Sequence, residues 1–152
     1  MIRQATETEW IASLALRESV AMNRYEHPDR SPRTVDQERQ WWNDQVVASK
    51  FRIWSVLVDG HLAGFINAFD FQPDSCETGV QIFETQWRRG IASAAYPLVL
   101  TILKTELGFS STWVGTHPEN VPALNLFEKL GYRRDGVMDD PPIQWVKLTY
   151  TF

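Results

Sequence analysis

Apolar positions along the chain change period several times, and each change marks an element. "MIRQA" suits a short first strand. Behind it, Thr6 and Glu9 make the Thr-x-x-Glu pair of a capping box, and the following positions set Trp10 over Leu14 and Ile11 over Ala15. A first helix is therefore predicted from Thr6 to about Asn23. "NRYEHPDRSPR" is polar, holds two prolines and has no period, so it reads as a loop. Thr34 and Gln37 repeat the capping-box pair and open a second helix with Trp41 and Trp42 on its later turns.

From Phe51 the period falls to two. Phe51, Ile53 and Leu57 share one face, and Trp54, Val56 and Val58 the other, the pattern of a strand buried on both sides. Asp59-Gly60 supplies the positive dihedrals of a tight hairpin turn, and "HLAGFINAF" returns as the partner strand. In "CETGVQIF", Glu77, Gly79, Gln81 and Phe83 alternate with Thr78, Val80 and Ile82. Helical spacing resumes at Ile91, Ala95, Leu98, Ile102 and Leu103, which predicts a helix from just after Gly90 to about Leu107, stopped by Gly108. Pro97 cannot donate to the Ser93 carbonyl, so a kink in the first half or a later start is expected. "STWVGTH" is the next strand. Asn120 caps a helix from Val121 to Leu130 that Gly131 ends, and "YRRDGVM" and "IQWVKLTYTF" are strands around the break "DDPP". The order β-α-α-β-β-β-α-β-α-β-β predicts a mixed α/β (α+β) fold, with about seven strands in a mostly antiparallel sheet and about four helices on its two faces.

A length of 152 residues suits a single domain over residues 1–152, and 43% hydrophobic with 22% charged residues is enough apolar material for it to fold alone. The net charge of −4 provides no global basic field, so neither nucleic acid nor an anionic membrane is favoured as a partner. Cys76 is the single cysteine, which excludes an internal disulfide and a cysteine-cluster metal site. His27, His61 and His117 lack metal-ligand spacing, so no metal is expected. "MIRQATETEW" lacks the apolar run of a signal peptide and no stretch reaches bilayer-spanning length, so a cytoplasmic location is expected.

The candidate chemistry centres on "QWRRGIASAA", where a strand and turn lead through Gly90 into a helix. A helix start leaves N–H groups unpaired and carries partial positive charge. Arg88 and Arg89 add to that charge, and Ala92, Ser93 and Ala94 leave room for an anion such as a phosphate. The same residues also suit a solvated turn in which Gly90 only relieves a backbone angle. The stretch lacks the ending of a Walker loop and the three glycines of a dinucleotide fingerprint.

"ETGVQIFETQWRRGIAS" resembles the acetyl-CoA-binding segment of the GNAT superfamily of N-acetyltransferases, in which Gln/Arg-x-x-Gly-x-Gly/Ala follows a strand. "HPENVPALNLFEKLGY" resembles the family's second signature, an Asn, then Ala, an aromatic and Glu-Lys-x-Gly-aromatic. Trp87 in place of the usual Gln/Arg, with "E-x-G" and the trailing "GYRRDGV", is similar to the RimJ/RimL-type branch of ribosomal-protein N-terminal acetyltransferases. The motifs cover Glu77 to Val137. The resemblance implies acetyl-CoA as co-substrate, with its pyrophosphate on the N–H groups of Arg88, Arg89, Gly90, Ile91, Ala92 and Ser93. It also implies that the pantetheine arm pairs with the main chain of Ile82, Phe83 and Glu84 and touches Asn120, which equally reads as a helix cap. Phe127 stands where many relatives carry a tyrosine that protonates the leaving thiolate.

Acetyl transfer to an amine needs a neutral amine, support for the tetrahedral oxyanion and a proton for the thiolate. The resemblance assigns the oxyanion to a backbone N–H near Phe83. Glu77 is the candidate base, because some relatives carry a catalytic carboxylate at that spacing before Gly90; a strand-end carboxylate in water or an ion pair is its other reading. Glu84 has the opposite strand parity and is the weaker candidate. With Phe127 lacking a hydroxyl, water or another group serves as acid, or the thiolate leaves unprotonated. Tyr132 reads as core, and Cys76 as a small hydrophobe rather than an acetyl carrier. Trp41 and Trp42 are candidate walls of the acceptor groove. Asp139 and Asp140, with Glu26 and Asp29, would attract an ammonium group, and they also read as solvated turn residues. The acceptor class is a small-molecule amine or a peptide N-terminus, and a homodimer is admitted as the assembly. Two rival readings are a non-catalytic acyl-CoA sensor and a nucleotide-binding interaction module.

Overall fold

The computed structural model describes residues 1–152. Seven strands form one sheet: β1 (Ile2–Gln4), β2 (Phe51–Val58), β3 (His61–Phe69), β4 (Ser75–Ile82), β5 (Ser111–Thr116), β6 (Arg133–Asp140) and β7 (Ile143–Thr151). Their spatial order is β1-β2-β3-β4-β5-β7-β6. Every neighbouring pair is antiparallel except β4–β5. The helices are α1 (Glu7–Ala12), α2 (Leu14–Arg17), α3 (Val35–Trp41), α4 (Ile91–Thr105) and α5 (Val121–Leu130), with a π-helical turn, Trp42–Val47, continuing α3. This is the mixed α/β architecture that the order of patterned segments predicts.

Both capping boxes form. Thr6 and Thr34 each accept from the N–H three residues on, and the Glu9 and Gln37 side chains return the bond. Asp59 and Gly60 take φ of 50° and 78°, the twist of a two-residue hairpin turn between β2 and β3. The single first helix expected from Thr6 to Asn23 instead breaks at Ser13 and ends at Arg17. Ser13 and Arg17 both send side-chain donors to the Trp10 carbonyl, and the Asn23 amide closes on the carbonyls of Arg17 and Ser19. Side-chain bonds thus end the helix where periodicity would extend it. The later start considered for the Pro97 helix is not found, because α4 runs unbroken from Ile91 with Pro97 on its exposed side. β6 extends through Asp139 and Asp140, so the break shrinks to Pro141-Pro142.

The sheet is covered on both faces. On one, α4 and α5 bury Val99, Leu103, Leu124 and Phe127 against Trp54, Val56, Ile66, Val114 and Leu148. On the other, α1 and the α3 region bury Trp10 and Trp42 against Ile53, Phe65 and Phe83. β2 feeds Ile53 into one core and Trp54 and Val56 into the other, as its double-sided pattern predicts.

A buried polar cluster ties α1, α2 and α3 together. The Trp10 indole donates to Glu38 Oε2 at 2.6 Å, and the Arg17 guanidinium lies 3.6 Å over the Trp10 ring and 3.7 Å from the same Glu38 oxygen. Burial pulls the Arg17 pKa down to about 10, with Glu38 opposing, so the guanidinium stays charged at neutral pH. Removing Glu38 would leave that charge buried without its carboxylate. Glu38→Ala is expected to destabilise the fold by about 3–5 kcal/mol, against about 1 kcal/mol for loss of the α3 cap in Thr34→Ala. Urea unfolding midpoints of the two variants check the difference.

Candidate functional site

β4 and β5 pair only from Ser75↔Ser111 to Glu77↔Trp113, after which β5 continues against β7 alone. The rest of β4 therefore borders an open gap. The Phe83 N–H donates to the Ala63 carbonyl at 2.9 Å, so main-chain groups of that parity turn towards β3. By alternation, Thr78 faces β5 beside the last paired position, and the groups of Val80 and Ile82 turn into the gap. The N–H of Phe83, the expected region of the oxyanion donor, is thus engaged, and that of the adjacent Ile82 faces the gap. The Ile82 carbonyl accepts from the Trp87 indole at 2.7 Å. Phe83 is core at 2% exposure, and Glu84 is exposed in the single turn Glu84–Gln86.

At the end of this gap the chain turns into α4. Arg88 and Gly90 both have positive φ, 63° and 69°. For arginine this region is strained, so the surrounding turn must hold it there. The first bond of α4 runs from the Ala94 N–H to the Gly90 carbonyl, leaving the N–H groups of Ile91, Ala92 and Ser93 outside the helical ladder. Arg88, Arg89, Gly90, Ile91, Ala92 and Ser93 line a pocket of about 140 Å³ together with Ile82, Gln86 and Trp87. Arg89 donates to the Gln86 side chain. Free N–H groups, a helix N-terminus and two guanidinium groups make this pocket suited to an anion such as pyrophosphate.

Glu77 is the last residue of β4 paired to β5, and it lies at the vertex of the gap. Burial, with Asp70 adding to it, raises its carboxyl pKa to about 7, while Trp113 and Lys147 draw it back. A Cβ on Gly115 would stand 3.6 Å from Glu77 Oε1 and 3.3 Å from Met138 Sδ, so both side chains fold over bare backbone there. A carboxylate half-protonated near neutral pH can accept a proton from a reacting group. Cys76, its neighbour, is fully buried, and burial raises its thiol to about 11, which leaves it protonated. No group of three or more metal-ligating side chains is present, and no helix is long and apolar enough to cross a membrane.

The remaining candidates scatter. Asn120 accepts from the Ala123 N–H at 3.3 Å as the α5 cap. Phe127 is 4% exposed and packs edge-on against Tyr96 and Tyr132. Tyr132 is core as well, and Tyr96 OH donates to Thr78 Oγ1 at 2.6 Å. Trp41 is half-buried, stacked on Trp10 and edge-on to Phe51, whereas Trp42 at 6% exposure belongs to the core and faces no groove. Because β6 extends through both aspartates, they point to opposite faces. Asp140 lies 3.6 Å from His27 Nε2, which donates to the Pro141 carbonyl, so the loop of Asp29 closes on this hairpin. Asp139 instead lines a separate pocket of about 530 Å³ with Pro118, Val137 and Val146. Sequence reading missed the cluster in which the His117 ring contacts both Tyr25 and Trp145, with the Trp145 indole donating to Asp140. They lie on distant segments and carry no local signal. It also missed Asn67, a polar residue within the apolar run of β3, which was a signal in plain view.

Residues 1–133 match the family described as the acetyltransferase (GNAT) domain. The chain is 28% identical over 107 residues to the SPbeta prophage-derived uncharacterized N-acetyltransferase YokL of Bacillus subtilis, a match covering 69% of this chain and 60% of that protein's length. Among solved structures, the spermidine N-acetyltransferase from Vibrio cholerae in complex with CoA and spermine superposes with a TM-score of 0.85 at 16% identity, covering 99% of this chain and 94% of that one. The ribosomal-protein-alanine N-acetyltransferase from Brucella melitensis gives 0.82 at 16% identity, over 100% and 99% of the two chains. At such identities the likeness is one of fold.

Glu77 leaves a signature in stability. A carboxyl raised in the folded state contributes stability that is fully present below its unfolded value of about 4.3 and lost as pH climbs through about 7. Glu77→Gln does not titrate, so it is expected to gain stability relative to wild type between pH 5 and pH 8. Urea midpoints at the two pH values measure this, and an equal difference at both would mean that the carboxyl is not raised.

Proposed function

Because this chain belongs to the acetyltransferase (GNAT) domain family, we propose that it transfers the acetyl group of acetyl-CoA to a primary amine by direct attack on the thioester. The observation that carries this reading is Glu77, raised to about 7 at the vertex of a gap whose far end is an anion cradle. In this reading the cradle N–H groups of Ile91, Ala92 and Ser93 bind the pyrophosphate, with Arg88 and Arg89 adding charge. The pantetheine arm takes the place of a missing strand beside β4, using the main chain of Val80 and Ile82. Glu77 takes a proton from the amine, and the amine nitrogen bonds to the acetyl carbon. An N–H facing the gap supports the oxyanion until the carbon–sulfur bond breaks. Phe127 supplies no proton, so the thiolate that leaves the acetyl carbon takes one from water or the surplus proton of the newly acylated nitrogen.

The acceptor enters on the Glu77 face, with Trp41 and Asp140 at its margins. Polyamines and peptide N-termini both belong in the screen, the latter in keeping with the RimJ/RimL-type motifs around Trp87 and with the ribosomal-protein-alanine acetyltransferase among the structural neighbours. A second reading, a sensor that binds acyl-CoA without turnover, is favoured by the buried, hydroxyl-free Phe127.

Incubating the protein with acetyl-CoA and a panel of peptides and small amines, with thiol release and product mass as readouts, is expected to yield an acetylated primary amine. Tight CoA binding without thiol release on any amine would instead support the sensor. Glu77→Gln is expected to lower kcat by about 10²-fold or more and to remove an acid limb near pH 7, with acetyl-CoA affinity retained.

Acetyl-CoA is also expected to raise the melting temperature where ATP does not, since only a ligand of the native state shifts unfolding by mass action. Equal shifts would favour the nucleotide-binding reading. In Gly90→Val that shift should vanish, because a β-branched residue does not hold the positive φ that aims the cradle.

A further inference from the structure

Two side-chain amides on the Glu77 face lack partners. Asn67 Oδ1 and Gln81 Oε1 are buried and accept no hydrogen bond within the fold. The β3–β4 register pairs Phe65 with Gln81, Asn67 with Gly79 and Phe69 with Glu77, so all six residues share one face of the sheet. Along β4 this face reads Glu77, Gly79, Gln81, and Asn67 stands beside the bare middle position. A Cβ on Gly79 would lie 2.8 Å from Asn67 Oδ1, so the amide leans over that backbone towards the edge bordering the gap. The neighbours Phe65 and Phe69 offer no donor. The result is a row of three oxygen acceptors, two amide and one carboxylate, with two of them unmet.

We infer that Asn67 and Gln81 are positioning residues for the acceptor amine, their amide oxygens receiving two of its N–H groups while Glu77 receives the third proton. An unmet buried acceptor is costly in the free protein and satisfied only when a multi-donor group arrives. An ammonium group has three N–H donors. Once Glu77 has taken one proton, a primary amine still has two, one for each amide. A secondary amine has one N–H left and an alcohol none, so this row selects primary amines and holds the nitrogen in place when it is neutral. The inference rests on the transfer reading above and adds a specificity device to it.

Asn67→Leu and Gln81→Met replace each amide by an apolar group of similar size. In each, the KM for the best primary amine should rise at least about 10-fold, and the preference for that amine over its N-methyl counterpart should shrink. The melting temperature of the free protein should rise, since a buried unmet acceptor is gone, and the acetyl-CoA-induced thermal shift should be retained. Asn67→Asp keeps an oxygen acceptor and should preserve the preference for the primary amine; it also serves if the leucine variant does not fold. Unchanged amine KM and unchanged preference in folded variants, beside an active wild type, would overturn the positioning role and leave the transfer reading intact. A wild type that binds acetyl-CoA yet modifies no amine would overturn both.

Discussion

The rest of the site depends on the failure of β4 and β5 to stay paired beyond Glu77 and Trp113. Buried main-chain donors and acceptors must find partners, and a sheet normally supplies them from the next strand. Here β5 keeps its pairing to β7 but parts from β4, and leaves Val80 and Ile82 bordering a gap. The Val80 groups and the Ile82 N–H can meet an extended ligand there as a strand would be met, while the Ile82 carbonyl is taken by the Trp87 indole. The same divergence sets the Glu77 carboxylate at the vertex, where packing dehydrates it without sealing it off.

Such an opening needs rigid walls. On one side α4 enters straight from the positive-φ residues Arg88 and Gly90, so the N–H groups of its first turn end beside the gap and not in solvent elsewhere. On the other, the Trp10–Arg17–Glu38 cluster fastens the short helices over Phe65 and Phe83, the core residues next to Gln81 and Ile82. Local stability is given up around the gap itself. Arg88 sits in a strained backbone region, Glu77 is raised, and the amide oxygens of Asn67 and Gln81 go unmet. Several local rules are broken together in this neighbourhood, as expected when a site is held ready for a ligand.

In the proposed reaction, the absence of a hydroxyl at Phe127 would place the weight of the chemistry on the Glu77 side. Phe127, Tyr96 and Tyr132 form an aromatic packing unit in which the Tyr96 hydroxyl donates to Thr78 and the Tyr132 hydroxyl is buried without a partner. Burial raises both tyrosine hydroxyls above their ordinary value, so neither ionises at neutral pH. A thiolate, being a stable leaving group, tolerates the loss of a dedicated acid better than an amine nucleophile tolerates the loss of a base.

What the residues settled by themselves is local. Capping boxes at Thr6 and Thr34, the Asp59-Gly60 turn, the double-sided pattern of β2 and the Gly90 entry to α4 are each decided by neighbours within a few positions, so they can be read along the chain. The two motifs around Gly90 and Asn120 identified the family for the same reason. Wherever partners are remote, tertiary structure decided. The helix after Thr6 stops at Arg17 because Asn23 and the Trp10 carbonyl capture its bonds, Trp42 goes to the core while Trp41 stays at its margin, and Asp139 and Asp140 part because β6 keeps pairing with β7 through both. The unmet amides of Asn67 and Gln81 and the raised carboxyl of Glu77 exist only once β3, β4 and β5 lie side by side, since burial and register are properties of the assembled sheet and not of any segment within it.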